Sequence, residues 1–293
     1  MADLRVNLFG KQLAGPVIAA SGTFGFGPEY AGIEDLRVLG GISGKGLTLN
    51  GQPGNDGERL LETPSGLMNS IGLQNPGVQH FIENELPAMK PAAPPSGSTW
   101  AAIPLRKNVE GVQKLCAAGI DVLELNISCP NVKQGGLAFG IRAKDAEEVV
   151  SAVRKVCTVP LVVKLSPQAE SIPDMCKAVE AAGADGISLC NTFQACAIDL
   201  EKRRPVFNNT FAGLPARPSA PLHCAWCGRL WGPSISRSSG WAHPDRPRCA
   251  GVHHGRCSRR SGGHRKLPGP ESLHSHYCRD WGMDGRPRRE NAG

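Results

Sequence analysis

Two amides, a hydroxyl and a thiol lie within six residues in Asn126-Ile127-Ser128-Cys129-Pro130-Asn131, followed by Val132. A thiolate is a nucleophile and a proton acceptor where its surroundings favour the charged form. Cys129 is therefore the candidate catalytic group, as base or nucleophile. Cysteine is also one of the residues most often buried, so spacing alone leaves a packing role open. Amides offer a donor beside an acceptor, and Asn69, Asn126, Asn131 and Asn191 suit a planar ring with alternating donors and acceptors; Thr192 adds a hydroxyl. Asn is equally common in turns. Lys45 and Lys164 sit in apolar, strand-like surroundings, where a charge needs a partner. Ser21-Gly22 lets backbone approach a flat ligand, but it also reads as a plain turn, as do Gly25 and Gly27.

These groups need a scaffold that brings them to one end. Residues 121–125 form an apolar-rich strand that Pro130 stops, and Gly135-Gly136 loosens the loop beyond it. Residues 16–20, 41–44, 161–165 and 186–190 are further strands. Between them, residues 145–156 show helical spacing, with Ala146, Val149, Val150, Val153 and Val156 as the apolar positions, and 171–182 form another helix that exits through Gly183-Ala-Asp-Gly186. Strand, loop and helix recur, with polar residues closing each strand. This predicts an α/β fold with parallel strands, a TIM (β/α)8 barrel, whose strand tips carry the chemistry.

Composition narrows the field. The 293 residues suit a barrel of about 250 residues. No run of about 18 apolar residues is present, so no membrane span is expected, and the first residues lack an apolar leader. Eleven Cys in a chain of this length point to reduced thiols and a cytoplasmic setting. From residue 215 on lie 14 of the 33 Lys+Arg and 5 of the 26 Asp+Glu, a balance of +9 that leaves 19 against 21 before it. The basic character belongs to the tail, so residues 1–214 give no sign of nucleic-acid binding.

The motif Asn126-Ile-Ser-Cys-Pro-Asn-Val resembles the active-site loop of the class 1 dihydroorotate dehydrogenases, FMN-dependent barrel enzymes of pyrimidine synthesis. Further resemblances follow in the same order: Ala20-Ser-Gly-Thr-Phe-Gly-Phe-Gly27 and Gly44-Lys-Gly-Leu-Thr48 to the flavin loops, and Asn69-Ser-Ile-Gly-Leu-Gln-Asn-Pro-Gly77 to the substrate loop. Val163-Lys-Leu-Ser-Pro167, Asn191-Thr192 and Glu201-Lys-Arg-Arg-Pro205 continue the series. The resemblance implies that Cys129 is the base removing a proton from C5 of dihydroorotate while C6 gives a hydride to FMN. It implies FMN contacts from Ser21, Gly22, Lys45, Gly46, Asn126, Lys164 and Cys190. It implies substrate contacts from Lys45, Asn69, Ser70, Ile71, Gly72, Leu73, Asn126, Asn191 and Thr192, and no metal. Phe24-Gly-Phe-Gly27 and Asn208-Asn-Thr-Phe-Ala-Gly213 are most similar to the NAD-linked type, which works with a partner subunit carrying FAD and a 2Fe-2S cluster. A fumarate-linked homodimer and the flavin module of dihydropyrimidine dehydrogenase are the rival readings; an oligomer is expected.

Two stretches break the barrel pattern. Residues 91–107 contain four Pro where the third strand belongs, which argues against a central strand. From residue 215 the chain is rich in Pro, Gly, Ser, Arg and His without a sustained period. Both are expected to be translated out of frame. The tail segment Pro221-Leu-His-Cys-Ala-Trp-Cys-Gly-Arg-Leu230 has a possible coding sequence whose shifted frame reads Ile-Ala-Leu-Arg-Met-Val-Trp-Glu-Val, an amphipathic helix. Strands three, seven and eight are then lacking, so the expectation is an incomplete barrel over 1–214 that folds poorly, a disordered tail over 215–293, and FMN binding that is weak or absent. The alternative is a non-catalytic product whose basic tail, with Cys224-Ala-Trp-Cys227, serves as a binding segment; the second Cys pair of a zinc finger is absent.

Overall fold

The computed structural model describes residues 5–15, 17–33, 35–64, 66–92, 98–104, 109–128 and 139–215. Strands β1 (Val6–Leu8) and β2 (Lys11–Leu13) form an antiparallel hairpin. Phe9 and Gly10 turn it with φ of 52° and 78°, the left-handed pair that a two-residue hairpin turn requires. Six strands then build a parallel sheet: β3 (Ile18–Ala19), β4 (Gly41–Ser43), β7 (Ser98–Pro104), β8 (Val122–Asn126), β9 (Leu161–Lys164) and β10 (Gly186–Ser188). Each lies beside its predecessor, in the order β10-β9-β8-β7-β4-β3. Successive neighbours are what strand–helix–strand connections produce when each crossover has the same hand.

The Pro-rich stretch corrects one expectation. Ser98–Pro104 is a central strand, paired with β4 from Gly41↔Ser98 and with β8 from Trp100↔Val122 to Pro104↔Asn126. The reason lies in where the prolines fall. Pro91, Pro94 and Pro95 precede the strand and Pro104 ends it, so residues 98–103 keep every backbone N–H for the ladder. Six staves are present rather than five. Among the described residues the sheet does not close, with β3 and β10 at its edges. The remaining strands expected of a barrel would fall on residues 216–293, outside the described residues, as does the Cys224–Cys227 motif.

Helices cover one face of the sheet. They are α1 (Val78–His80), continued through a π-helical turn over Phe81–Glu85 into α2 (Leu86–Ala92), then α3 (Val109–Ala117), α4 (Ala143–Arg154) and α5 (Ile172–Ala181). Helix α5 starts where the Ser171 hydroxyl accepts from the Asp174 N–H at 3.3 Å, an N-cap satisfying one of the first turn's free donors. Helices α4 and α5 turn Val149, Val150, Val153, Met175, Cys176 and Val179 onto the sheet. Leu123, Leu125, Leu161, Val163 and Ile187 meet them from the strands. Each such fully buried side chain contributes about 1.5–3 kcal/mol.

A second, antiparallel sheet has the order β11-β14-β6-β5: β5 (Leu60–Thr63), β6 (Gly66–Asn69), β11 (Phe193–Cys196) and β14 (Phe211–Leu214), with the short hairpin of β12 (Ile198–Asp199) and β13 (Arg204–Pro205) between β11 and β14. Its strands belong to the two excursions that leave the carboxyl ends of β4 and β10. Met68, Phe207 and Ala212 are its small core.

Candidate active site

Alternation along the strands sorts the sheet's two faces. In β8, Leu123 and Leu125 face the helices, which leaves Val122, Glu124 and Asn126 on the other face; in β9, Val162 and Lys164 share that face. Its floor is apolar: Ile18, Val122 and Val162 pack with Leu13 of the hairpin, against which Leu8 and Phe9 also lie. Above the floor the same face turns polar.

Glu124 and Lys164 occupy that level, with side chains only 6% and 10% exposed and 3.8 Å apart. Ser21 lies between them, donating to Glu124 Oε1 at 2.8 Å and accepting from Lys164 Nζ at 3.2 Å. Ser43 donates to the other carboxylate oxygen, Oε2, at 3.2 Å. Burying either charge alone would be costly, and pairing with hydrogen bonds on the remaining lone pairs offsets that cost. Glu124 and Ser43 were not among the residues singled out in the sequence. The signal was available: a carboxylate at an inward position of an otherwise apolar strand.

A second cluster lies at the strand tips. Asn126, paired in register with Lys164, accepts at Oδ1 from the Ser128 N–H at 3.0 Å and from its hydroxyl at 2.7 Å. Asn191 Nδ2 donates to the Ser128 hydroxyl at 3.0 Å and carbonyl at 3.3 Å, while its Oδ1 accepts from the Thr192 N–H at 2.8 Å. Asn126, Asn191 and Thr192 are thus brought together around Ser128. Cys129 and Asn131 lie outside the described residues; the cluster ends on the residue before Cys129. Cys190 is buried beside it, and burial pushes its thiol up to about 12 against the pull of Lys164.

The predicted substrate loop is held from below. Asn75 Oδ1 accepts from the Thr48 and Gly77 N–H groups, each at 2.9 Å, and its Nδ2 donates to Leu73 O at 2.8 Å. Asn55 donates to the Ser70 carbonyl and hydroxyl at 3.1 and 3.0 Å. Gln52 donates to Gly72 O at 3.1 Å, and the Asn55 N–H to Ile71 O at 3.0 Å. Gly72 has φ of 72° and its Cα is walled by Asn55; Leu73 follows at φ 60°. Asn69 and Thr192 converge on Gly213: Asn69 Nδ2 donates to its carbonyl at 3.4 Å, and a Cβ there would strike Thr192 Oγ1.

Lys45 is half-buried and Gly46 buried, just beyond β4. A Cβ on Gly44 would lie 3.1 Å from the Phe26 ring, so this turn is tightly packed. Gly22 has φ of 83° and nothing within 4 Å of where a Cβ would stand. The Ser188 hydroxyl, in register with Lys164, is buried without a partner. A buried cation, an orphan hydroxyl and an open glycine backbone fit the polar edge of a flat heterocycle such as the isoalloxazine of FMN. Among the described residues no group of three or more His, Cys, Asp or Glu could hold a metal ion.

Comparison with known proteins gives these residues a context. The dihydroorotate dehydrogenase family model matches residues 3–225. The catalytic subunit of dihydroorotate dehydrogenase B (NAD(+)) from Petrotoga mobilis is 51% identical over 227 residues, 76% of this chain and 74% of that protein. Its counterpart from Parabacteroides distasonis is 45% identical over 229 residues, 77% of this chain and 75% of that protein. Among solved structures, DHODH from Eimeria tenella in complex with ferulenol superposes with a TM-score of 0.62 at 18% identity, covering 80% of this chain and 71% of that one. The ligand-free form gives 0.59 at 17%, covering 79% and 72%. At that identity the likeness speaks for the fold, and the parallel sheet described above is part of a TIM barrel. The chain belongs to the dihydroorotate dehydrogenase family, FMN-dependent oxidoreductases of pyrimidine biosynthesis.

Proposed function

We propose that this chain oxidises (S)-dihydroorotate to orotate as the catalytic subunit of an NAD-linked enzyme, with Cys129 as the base at C5. FMN, when bound, supplies the acceptor for the C6 hydride. Lys164 and Lys45 place positive charge at the edge where negative charge develops on the cofactor, with Ser21, Gly22, Gly46, Asn126 and Cys190 lining its site. Asn69, Asn126, Asn191 and Thr192 read the pyrimidine ring, and the Ser70–Leu73 backbone receives the carboxylate, with Lys45 beside it. The observation that carries this reading is the Asn126–Ser128–Asn191 cluster. It fixes the start of the Cys129 loop at the tip of the strand next to Lys164.

The onward acceptor is a partner subunit, a reading supported by the relatives' names as catalytic subunits of an NAD(+)-linked enzyme; FAD and a 2Fe-2S cluster on that subunit rest on the sequence resemblance alone. The setting is cytoplasmic, consistent with the lack, among the described residues, of a helix long and apolar enough to cross a membrane. The active form is an oligomer. The test is anaerobic bleaching of protein-bound FMN by dihydroorotate, with dihydrouracil and fumarate as comparison substrate and acceptor. Bleaching by dihydrouracil alone, or turnover with fumarate, would redirect the assignment.

Residues 1–214 are read as the barrel domain and 215–293 as an out-of-frame extension that leaves the barrel incomplete. The composition of 215–293 supports this, as does the end of the family match at residue 225. Sequencing the coding DNA across codons 88–110 and from codon 212 on tests it. An inserted or missing base is expected at each place, and an intact reading frame at both would overturn it.

A further inference from the structure

We propose that Glu124 is a positioning residue for Lys164, holding its ammonium at the polar level of the sheet's inner face through a buried network with Ser21 and Ser43. The inference rests on the reading that Lys164 faces FMN, and adds a residue to it. Three features of the site support it. Glu124 lies two residues below Asn126 on the same face of β8, one strand from Lys164, so backbone register fixes the separation of their Cα atoms. Both carboxylate oxygens are engaged, Oε1 by Ser21 and Lys164 and Oε2 by Ser43, so the carboxylate has little freedom to turn. Ser21, at the first candidate flavin loop, also accepts from Lys164, which ties that loop to the same ion pair. A lysine carries four rotatable bonds and would otherwise sample many positions above an apolar floor.

The sign of one measurement separates positioning from plain electrostatics. Removing a negative charge near bound flavin raises its midpoint potential, because the reduced form is the more anionic. Losing the placement of Lys164 lowers it. In Glu124→Gln, which keeps the shape of the side chain, the potential is expected to fall, and FMN affinity to drop about tenfold, the loss of one charge-assisted contact. Lys164→Met is expected to lower the potential further, and Glu124→Gln to cause no further fall in the Lys164→Met background, where only the loss of a negative charge is left and shifts it upward. Ser43→Ala, which keeps every charge, should move the potential the same way by less, and it serves as the test if Glu124→Gln fails to fold. A rise or no change in Glu124→Gln, or an equal shift in the Lys164→Met background, overturns the role of Glu124 alone. The variants are made in the chain encoded by the verified reading frame; there, an unchanged potential in Lys164→Met, or no FMN uptake by that parent, overturns the reading of the site and this proposal with it.

Discussion

Asn191 ties the carboxyl end of β10 to that of β8 by donating to both the hydroxyl and the carbonyl of Ser128, at 3.0 and 3.3 Å. The next residue along the chain is Cys129. Asn191→Ala removes these two hydrogen bonds and the one that its Oδ1 accepts from the Thr192 N–H, each worth about 0.5–1.5 kcal/mol. We expect kcat/KM for dihydroorotate to fall roughly ten- to a hundredfold in stopped-flow bleaching. Ser128→Ala, which removes the shared hydroxyl but no proposed substrate contact, should give part of the same loss. A normal rate in both variants would show that the loop needs no such tether.

Asn75 predicts a stability effect away from the reacting atoms. It is buried, and its amide serves Thr48, Gly77 and Leu73 at once. Asn75→Ala leaves two backbone N–H groups without an acceptor, and a loss of about 2–4 kcal/mol is expected in urea denaturation. Asn75→Asp keeps the acceptor but not the donor and should fall between the two.

At Gly72 the backbone itself is at issue. Its φ of 72° and the wall of Asn55 leave no room for a methyl group. Gly72→Ala should cost about 1–3 kcal/mol and raise KM for dihydroorotate more than it lowers kcat, since the loop is read as a binding element. Initial rates against substrate concentration settle which parameter moves.

The buried thiols predict a pH dependence. Burial pushes Cys176 up to about 12 from an ordinary value of 9.0, and Cys190 likewise. Between pH 9 and 12 the unfolded chain has released these protons and the folded chain has not, so stability falls as pH rises; below pH 9 the contribution is fully present. Cys176→Ala should flatten that slope in urea midpoints taken from pH 8 to 11. Cys116 goes the other way, held below the ordinary thiol range chiefly by hydrogen bonding with Cys157, whose sulfur is 3.9 Å away. Peptide mapping after brief iodoacetamide treatment at pH 7 should find Cys116 labelled ahead of Cys176 and Cys190.

Much of the fold was legible because apolar runs and helical spacing follow from burial on one or both faces. The strands at 121–125, 161–165 and 186–190 and the helix capped by Ser171 lie within a few residues of where the pattern put them. The third strand was missed because counting prolines over residues 91–107 ignores where they fall along the ladder. The amides at 126 and 191 were found by type, but only the folded chain shows that they meet at Ser128. Glu124 was passed over as one charge in an apolar strand, and its partners stand 40, 81 and 103 residues away in the chain.

The alternation that separates Leu123 and Leu125 from Glu124 and Asn126 makes β8 a parity code. From residue 123 to 126 the even positions carry the polar chemistry and the odd positions the apolar packing against the helices. Inserting or deleting one residue between 122 and 126 would exchange the two sets, driving a carboxylate into the helix layer and leucines into the pocket. Length changes in such a chain can be tolerated in loops long before they can be tolerated in a strand of five residues.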